Sequence, residues 1–126
     1  PKKLYQASSK AREQFSVKST GVDQLMRALS GGNKQKVNLG RWLIKDLDVL
    51  IVDCPTRGVD IGVKAYIYQC LREAKEKGMA ILLITDELSE VLGMADTTAV
   101  MKDGEICKLL PRSAELSEET IIEVMT

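Results

Sequence analysis

The sequence predicts an α/β fold built on a parallel sheet, and three observations carry that expectation. Val49 to Val52 and Met79 to Thr85 are continuous apolar runs of strand length, the pattern of strands buried on both faces. Between them Val63, Ile67, Cys70, Leu71 and Ala74 recur at helical spacing, as a crossover helix requires. A further strand-like run, Thr97 to Met101, extends the alternation of strand and helix.

The elements follow in order. Leu4 to Phe15 is a weakly helical stretch in a polar, basic opening, and Gly21 to Asp23 breaks it. The Ser30-Gly31-Gly32 turn opens a helix running to about Ile44. Its interior Gly40 costs ~1 kcal/mol relative to alanine, which points to close packing there. Asp46 to Asp48 ends that helix. Pro55 to Asp60 is a turn after the first strand, and Asp60 is placed to cap the crossover helix, which Gly78 terminates. Asp86 or Thr85 is placed to cap a short helix reaching about Leu92. Asp103-Gly104 is a hairpin turn leading from the third strand into Ile106 to Leu109. Ser117, with Glu118 and Glu119 behind it, opens a last helix with its acids well placed for the helix dipole.

Composition narrows the class. The 126 residues suit one small domain, and 44% hydrophobic content excludes wholesale disorder. Lysine plus arginine equals aspartate plus glutamate at 18 each, so no net field favours nucleic acid or anionic lipid. No apolar run approaches the ~20 residues of a membrane span, and no signal-peptide pattern opens the chain; membrane association is expected only through a partner. Cys54, Cys70 and Cys107 are widely spaced and there is no histidine, which disfavours zinc and fits reduced thiols. A partial parallel sheet also leaves long apolar edges open to pairing, so the chain reads as the second part of a domain whose first strands are missing.

Two features carry chemistry. Ala28-Leu-Ser-Gly-Gly-Asn-Lys-Gln-Lys36 places a Ser-Gly-Gly turn at a helix start, where free N–H groups meet an anion. Asp48-Val-Leu-Ile-Val-Asp53 ends an apolar strand on a carboxylate suited to a hard cation. Together they suggest a nucleoside triphosphate with Mg²⁺. No Gly-x-x-x-x-Gly-Lys-Ser/Thr phosphate loop occurs in the sequence.

In this order and spacing the motifs resemble an ABC transporter ATPase domain. Leu29 to Lys36 looks like the signature motif, and Val49 to Thr56 like the Walker B strand and its exit. Arg57-Gly-Val-Asp60 looks like the D-loop, and Ile84 to Leu88 falls where the switch-histidine loop sits. Asn33, Arg57-Gly-Val-Asp60 and Val91 to Asp96 are similar to the C-terminal half of the fused, double-domain ATPases of monosaccharide importers. The resemblance implies a partial P-loop NTPase (RecA-like) parallel sheet with part of the helical subdomain and the Walker A half missing. It implies residues 1–46 as the helical subdomain with the signature and 47–126 as core.

The resemblance also implies roles, each beside a plainer reading. Ser30, Gly31, Gly32, Asn33 and Gln35 would contact ATP held by a partner domain; the plain reading is a capped helix start. Asp53 would hold Mg²⁺ through water; otherwise it caps a turn. Cys54 stands where the family has its catalytic glutamate, and a thiol with an ordinary pKa of ~8.5 is a poor base; it is otherwise a small buried residue. Asp86 stands at the switch-histidine position, where it would repel a γ-phosphate, replace the missing base, or simply cap a helix. Asp60 and Arg57 would lie at the domain seam. No intact catalytic residue is therefore expected in this half, which would complete the competent ATP site of another nucleotide-binding domain. Permease subunits and, indirectly, a sugar-binding protein are the implied partners, with no nucleic acid, on the inner face of the plasma membrane. A hydrolytic enzyme using Asp53 and Asp86, a non-hydrolytic interaction module and a DNA-repair-type ATPase are the rival expectations.

Overall fold

The computed structural model describes every residue, 1–126. The chain divides into two compact units, 1–82 and 83–126, with the boundary falling inside a strand.

The first unit opens with α1 (Lys2–Gln14), which buries none of its own side chains; Phe15 just beyond it is buried. A loop and one 3₁₀ turn (Met26–Ala28) lead to α2 (Gly31–Leu43), capped by Ser30 as its sequence predicts. Gly40 is where α2 meets Phe15: a Cβ there would lie 2.7 Å from the ring, so the costly glycine is explained by close approach. Strand β1 (Val49–Asp53) follows, then α3 (Ile61–Glu76) and β2 (Ala80–Ile84). Asp60 Oδ1 accepts the Val63 N–H at 3.0 Å and caps α3. At the other end Gly78, at φ +98°, closes α3: its N–H donates to the Lys75 carbonyl, and Met79 N–H to that of Ala74. Ile67, Leu71 and Ala74 form the buried stripe of α3, and Leu39, Leu50, Val52 and Thr56 are buried in the same unit.

β1 and β2 pair in a two-stranded parallel sheet with α3 as the crossover. Burial on both faces does not hold. Leu50 and Val52 are buried, but Val49 and Ile51 are exposed by 59% and 63%. β2 likewise alternates half-buried with exposed side chains, including Leu82. The apolar pattern records strands built to be covered on both sides, and the elements of this chain cover only one.

In the second unit, α4 (Leu88–Met94) is not capped by Thr85 or Asp86. Glu87 holds the N-cap position with no side-chain cap bond, while its own N–H donates to Thr85 Oγ1 at 3.1 Å. The Thr85 hydroxyl thus folds the chain into a turn one step earlier, and Asp86 is left exposed on that turn. β3 (Thr97–Lys102) does not extend the parallel sheet; it pairs antiparallel with β4 (Glu105–Pro111). Asp103 and Gly104, both at positive φ (50° and 81°), form the hairpin turn that their sequence predicts. A bulge at Val100/Met101 shifts the register. α5 (Glu118–Met125) begins with a reciprocal box between Ser117 and Thr120, and Ile121 is buried with Val100 in this unit's core.

Candidate functional site

The first unit gathers most of the sequence-predicted residues around two helix starts. Ser30 sits at the exposed N-cap of α2. Its Oγ accepts twice from Asn33, from the backbone N–H at 3.3 Å and from Nδ2 at 2.9 Å. With both bonds accepted, the hydroxyl proton remains available for an outside acceptor. Asn33 is itself held, because its Oδ1 accepts the Lys18 N–H at 2.9 Å.

The two glycines have different surroundings. A Cβ on Gly31 would meet nothing within 4 Å, so this face is open to a ligand. A Cβ on Gly32 would lie 2.7 Å from Val63 Cγ2, so Gly32 lets α2 close on α3. No carbonyl of α2 lies upstream of the Gly31 and Gly32 N–H groups, so these donors and the positive end of the helix dipole share one edge.

The amides of Asn33 and Gln35, expected from the sequence to reach phosphate, each commit one N–H inside the chain and keep a second. Asn33 bonds Ser30 and Lys18 as above, and Gln35 Nε2 donates to the Pro55 carbonyl at 2.6 Å. The contact with Pro55 spans 20 residues and that with Val63 31 residues. Neither partner carries a local signal that would have identified it in the sequence.

Asp53 ends β1 with an exposed side chain. No group of three or more acidic, cysteine or histidine residues could form a metal cage. A lone carboxylate suits Mg²⁺ carried by a nucleotide, since that ion keeps waters and phosphate oxygens and needs few protein ligands. Cys54 follows, half-buried, at φ +44°, a left-handed conformation that costs a side-chain-bearing residue about 1–2 kcal/mol. Its carbonyl accepts the Arg57 N–H at 3.2 Å, turning the chain toward Asp60 and α3. Asp86 belongs to the second unit, on the turn before α4.

None of Ser30, Asp53, Cys54, Asp60 or Asp86 lines the hollows of the first unit. An apolar hollow of about 300 Å³ lies by Phe15, Leu29, Val37 and Gly40. A more polar one of about 580 Å³ lies by Ser16, Tyr66, Cys70 and Glu73. Burial, above all, raises the Cys70 thiol and the Tyr66 hydroxyl from their ordinary values, and the neighbouring Glu73 charge adds to both shifts. These groups are held in their neutral forms. Lys36 sits 4.5 Å above the Tyr66 ring and donates to the Ser16 carbonyl at 3.1 Å. Ser30, Asp53, Asp60 and Asp86 are exposed and lie outside both of these hollows.

The chain is similar to sugar-import ATP-binding proteins. It is 45% identical over 114 residues, 90% of its length, to the ribose import ATP-binding protein RbsA of Lactococcus lactis. It is 43% identical over 119 residues to the L-arabinose transport ATP-binding protein AraG of Geobacillus stearothermophilus. It is 49% identical over 109 residues to the arabinose import ATP-binding protein AraG of Ralstonia nicotianae. The chain spans less than a quarter of the length of each, 23%, 23% and 21%. Among solved structures, an ATP-binding cassette of an ABC transporter superposes with a TM-score of 0.78 at 28% identity, over 97% of this chain and 49% of the cassette. A dimeric bacterial ABC transporter cassette has the same fold at 21% identity and a TM-score of 0.74, over 86% of this chain and 47% of that one. No protein-family model matches the chain.

Proposed function

We propose, from a chain that belongs by sequence and fold to the ABC transporter ATPases, that it supplies a signature edge to ATP bound by another nucleotide-binding domain. The observation that carries the reading is the Ser30 cap. Its hydroxyl proton is available, Gly31 is open beside it, and α2 directs its first N–H groups outward. Such an edge donates hydrogen bonds and partial positive charge, and it lacks a phosphate loop of its own. ATP with Mg²⁺ would supply the hydrolysable phosphoanhydride. Ser30 and the first turn of α2 would orient its terminal phosphate, and Asp53 would hold the ion's water shell in this domain's own site.

That second site would turn over poorly. Cys54 cannot serve as a general base where a glutamate is needed, and Asp86 would bring negative charge toward a γ-phosphate. In this reading residues 1–46 are the helical subdomain and 47–126 the core, with Asp60 and Arg57 at the seam between domains. The relatives' names point to a monosaccharide as cargo. Permease subunits would then hold the assembly at the cytoplasmic membrane face. A sugar-binding protein would deliver cargo from the other side.

The test uses the full-length protein with its permease. Ser30→Arg, which puts bulk and a competing cation at the phosphate edge, should abolish both sugar uptake and ATP hydrolysis, while Cys54→Glu should change total hydrolysis less than twofold. Full activity in the Ser30→Arg protein would sink the reading, and a large gain from Cys54→Glu would show a site that needed only its base.

A further inference from the structure

The edge at Ser30 and the loop that follows β1 are joined inside one unit by two clamps. At the start of the loop, Gln35 Nε2 donates to the Pro55 carbonyl at 2.6 Å. Pro55 is buried and lies two residues after Asp53. At the end of the loop, Gly32 fits against Val63 with no room for a Cβ. Val63 is the residue whose N–H is capped by Asp60. Between the clamps the loop is a continuous chain of turns, with Arg57 N–H donating to the Cys54 carbonyl and Val59 N–H to that of Thr56. Ser30, Gly32 and Gln35 all lie in the first two turns of α2. A displacement of that helix start therefore acts on both ends of the segment Asp53 to Asp60.

We infer that Gln35 is a positioning residue: its amide is a strut through which a nucleotide phosphate at the Ser30 edge sets the geometry of the Asp53–Asp60 loop. The inference rests on the proposed function, since it needs a phosphate at that edge. The physical requirement for such coupling is a contiguous network joining two sites. A side-chain bond is the weaker of the two clamps to lose cleanly, because the Gly32 contact is steric and survives the removal of the amide. The strut is also directional in its chemistry. Pro55 has no N–H of its own, so the only hydrogen bond its backbone can make is through its carbonyl oxygen, the atom Gln35 holds. Cys54, left-handed at φ +44°, is the adjoining link, and small rotations there re-aim both Asp53 and the turn.

The experiment is amide hydrogen exchange on the full-length protein, with and without Mg²⁺ and a non-hydrolysable ATP analogue, together with steady-state ATPase kinetics. In the unmodified protein the analogue should slow exchange both at Gly31–Asn33 and at Arg57–Val59. In Gln35→Met, close in size but lacking the donor, protection at Gly31–Asn33 should persist and protection at Arg57–Val59 should be lost. In the same variant kcat should fall about tenfold, toward the lower end of the range for coupled sites, with KM for ATP within twofold. Gln35→Glu supplies a second variant: ionised, it opposes the Pro55 carbonyl and should act as Gln35→Met does. Protonated, it donates again, so loop protection should return as the pH falls. Retained loop protection in both variants overturns the strut. A protein in which the analogue protects neither segment before any substitution overturns the underlying reading that Ser30 faces ATP, and the two failures are distinct.

Discussion

At the residue scale, the two glycines of one short motif do different work. Gly31 is open, and Gly32 is a packing residue against Val63. Gly31→Ala should leave the folding stability of the chain within about 0.5 kcal/mol and yet lower ATP hydrolysis by the full-length protein. Gly32→Ala forces a methyl into a stiff β-branched side chain and should cost about 1–3 kcal/mol. Chemical denaturation of the two variants separates the roles; equal losses of stability would refute the division. Asn33 shows the same economy, because one amide both fixes the Ser30 oxygen and ties Lys18 to α2. The helix start at Ser30 was legible in the sequence, since capping is local. The engagement of Asn33 and Gln35 was not, because Lys18 and Pro55 are brought to them only by folding.

At the element scale, helix ends were legible except at α4, and strand environments were not. Asp60 and Ser117 cap α3 and α5 as their positions in the sequence require, and Gly78 and Gly104 mark the stops that positive φ demands. Asp60→Ala should therefore cost about 1 kcal/mol through the lost cap, read as a fall in denaturation midpoint. Gly40→Ala tests packing in α2. Propensity alone predicts a gain of ~1 kcal/mol. The Phe15 ring, at 2.7 Å from the new carbon, predicts a loss of about 1–3 kcal/mol. Net destabilisation is the expected outcome, and a stabilised protein would mean that Phe15 moves freely. The β1 pattern misled because an apolar run records what a strand is built to meet. It does not record whether the covering elements lie in the same stretch of chain. The cap of α4 misled because Thr85, Asp86 and Glu87 compete for one turn, and the hydroxyl wins the Glu87 N–H.

At the scale of the whole molecule, charge neutrality conceals half-buried titratable groups. The raised Cys70 thiol loses its proton later in the folded chain than in the unfolded one. Below the ordinary thiol pKa of ~8.5 its contribution to stability is fully present. As pH rises past that value the unfolded state releases the proton first, and stability declines toward the higher folded value. Tyr66, raised by the same burial, extends the decline into more alkaline solution. Urea denaturation between pH 7 and pH 10 should show this fall, and Cys70→Ala should flatten its first part. An unchanged slope in that variant would assign the effect elsewhere. Cys107, exposed on β4, should react with a thiol reagent well before Cys70.

The sequence by itself determined the order of the elements, the capped starts of α2, α3 and α5, the hairpin turn and the set of motifs that resemble those of ABC transporter ATPases. Each of these depends on residues a few positions apart, where capping, turn chemistry and periodicity act locally. Only the tertiary structure decided which apolar strand face is covered, that β3 pairs with β4 and not with the parallel sheet, and that Gly32 meets Val63. It also decided that Gln35 holds Pro55. Those outcomes rest on pairings many residues apart, where packing and hydrogen-bond geometry choose among partners that the local pattern leaves equivalent.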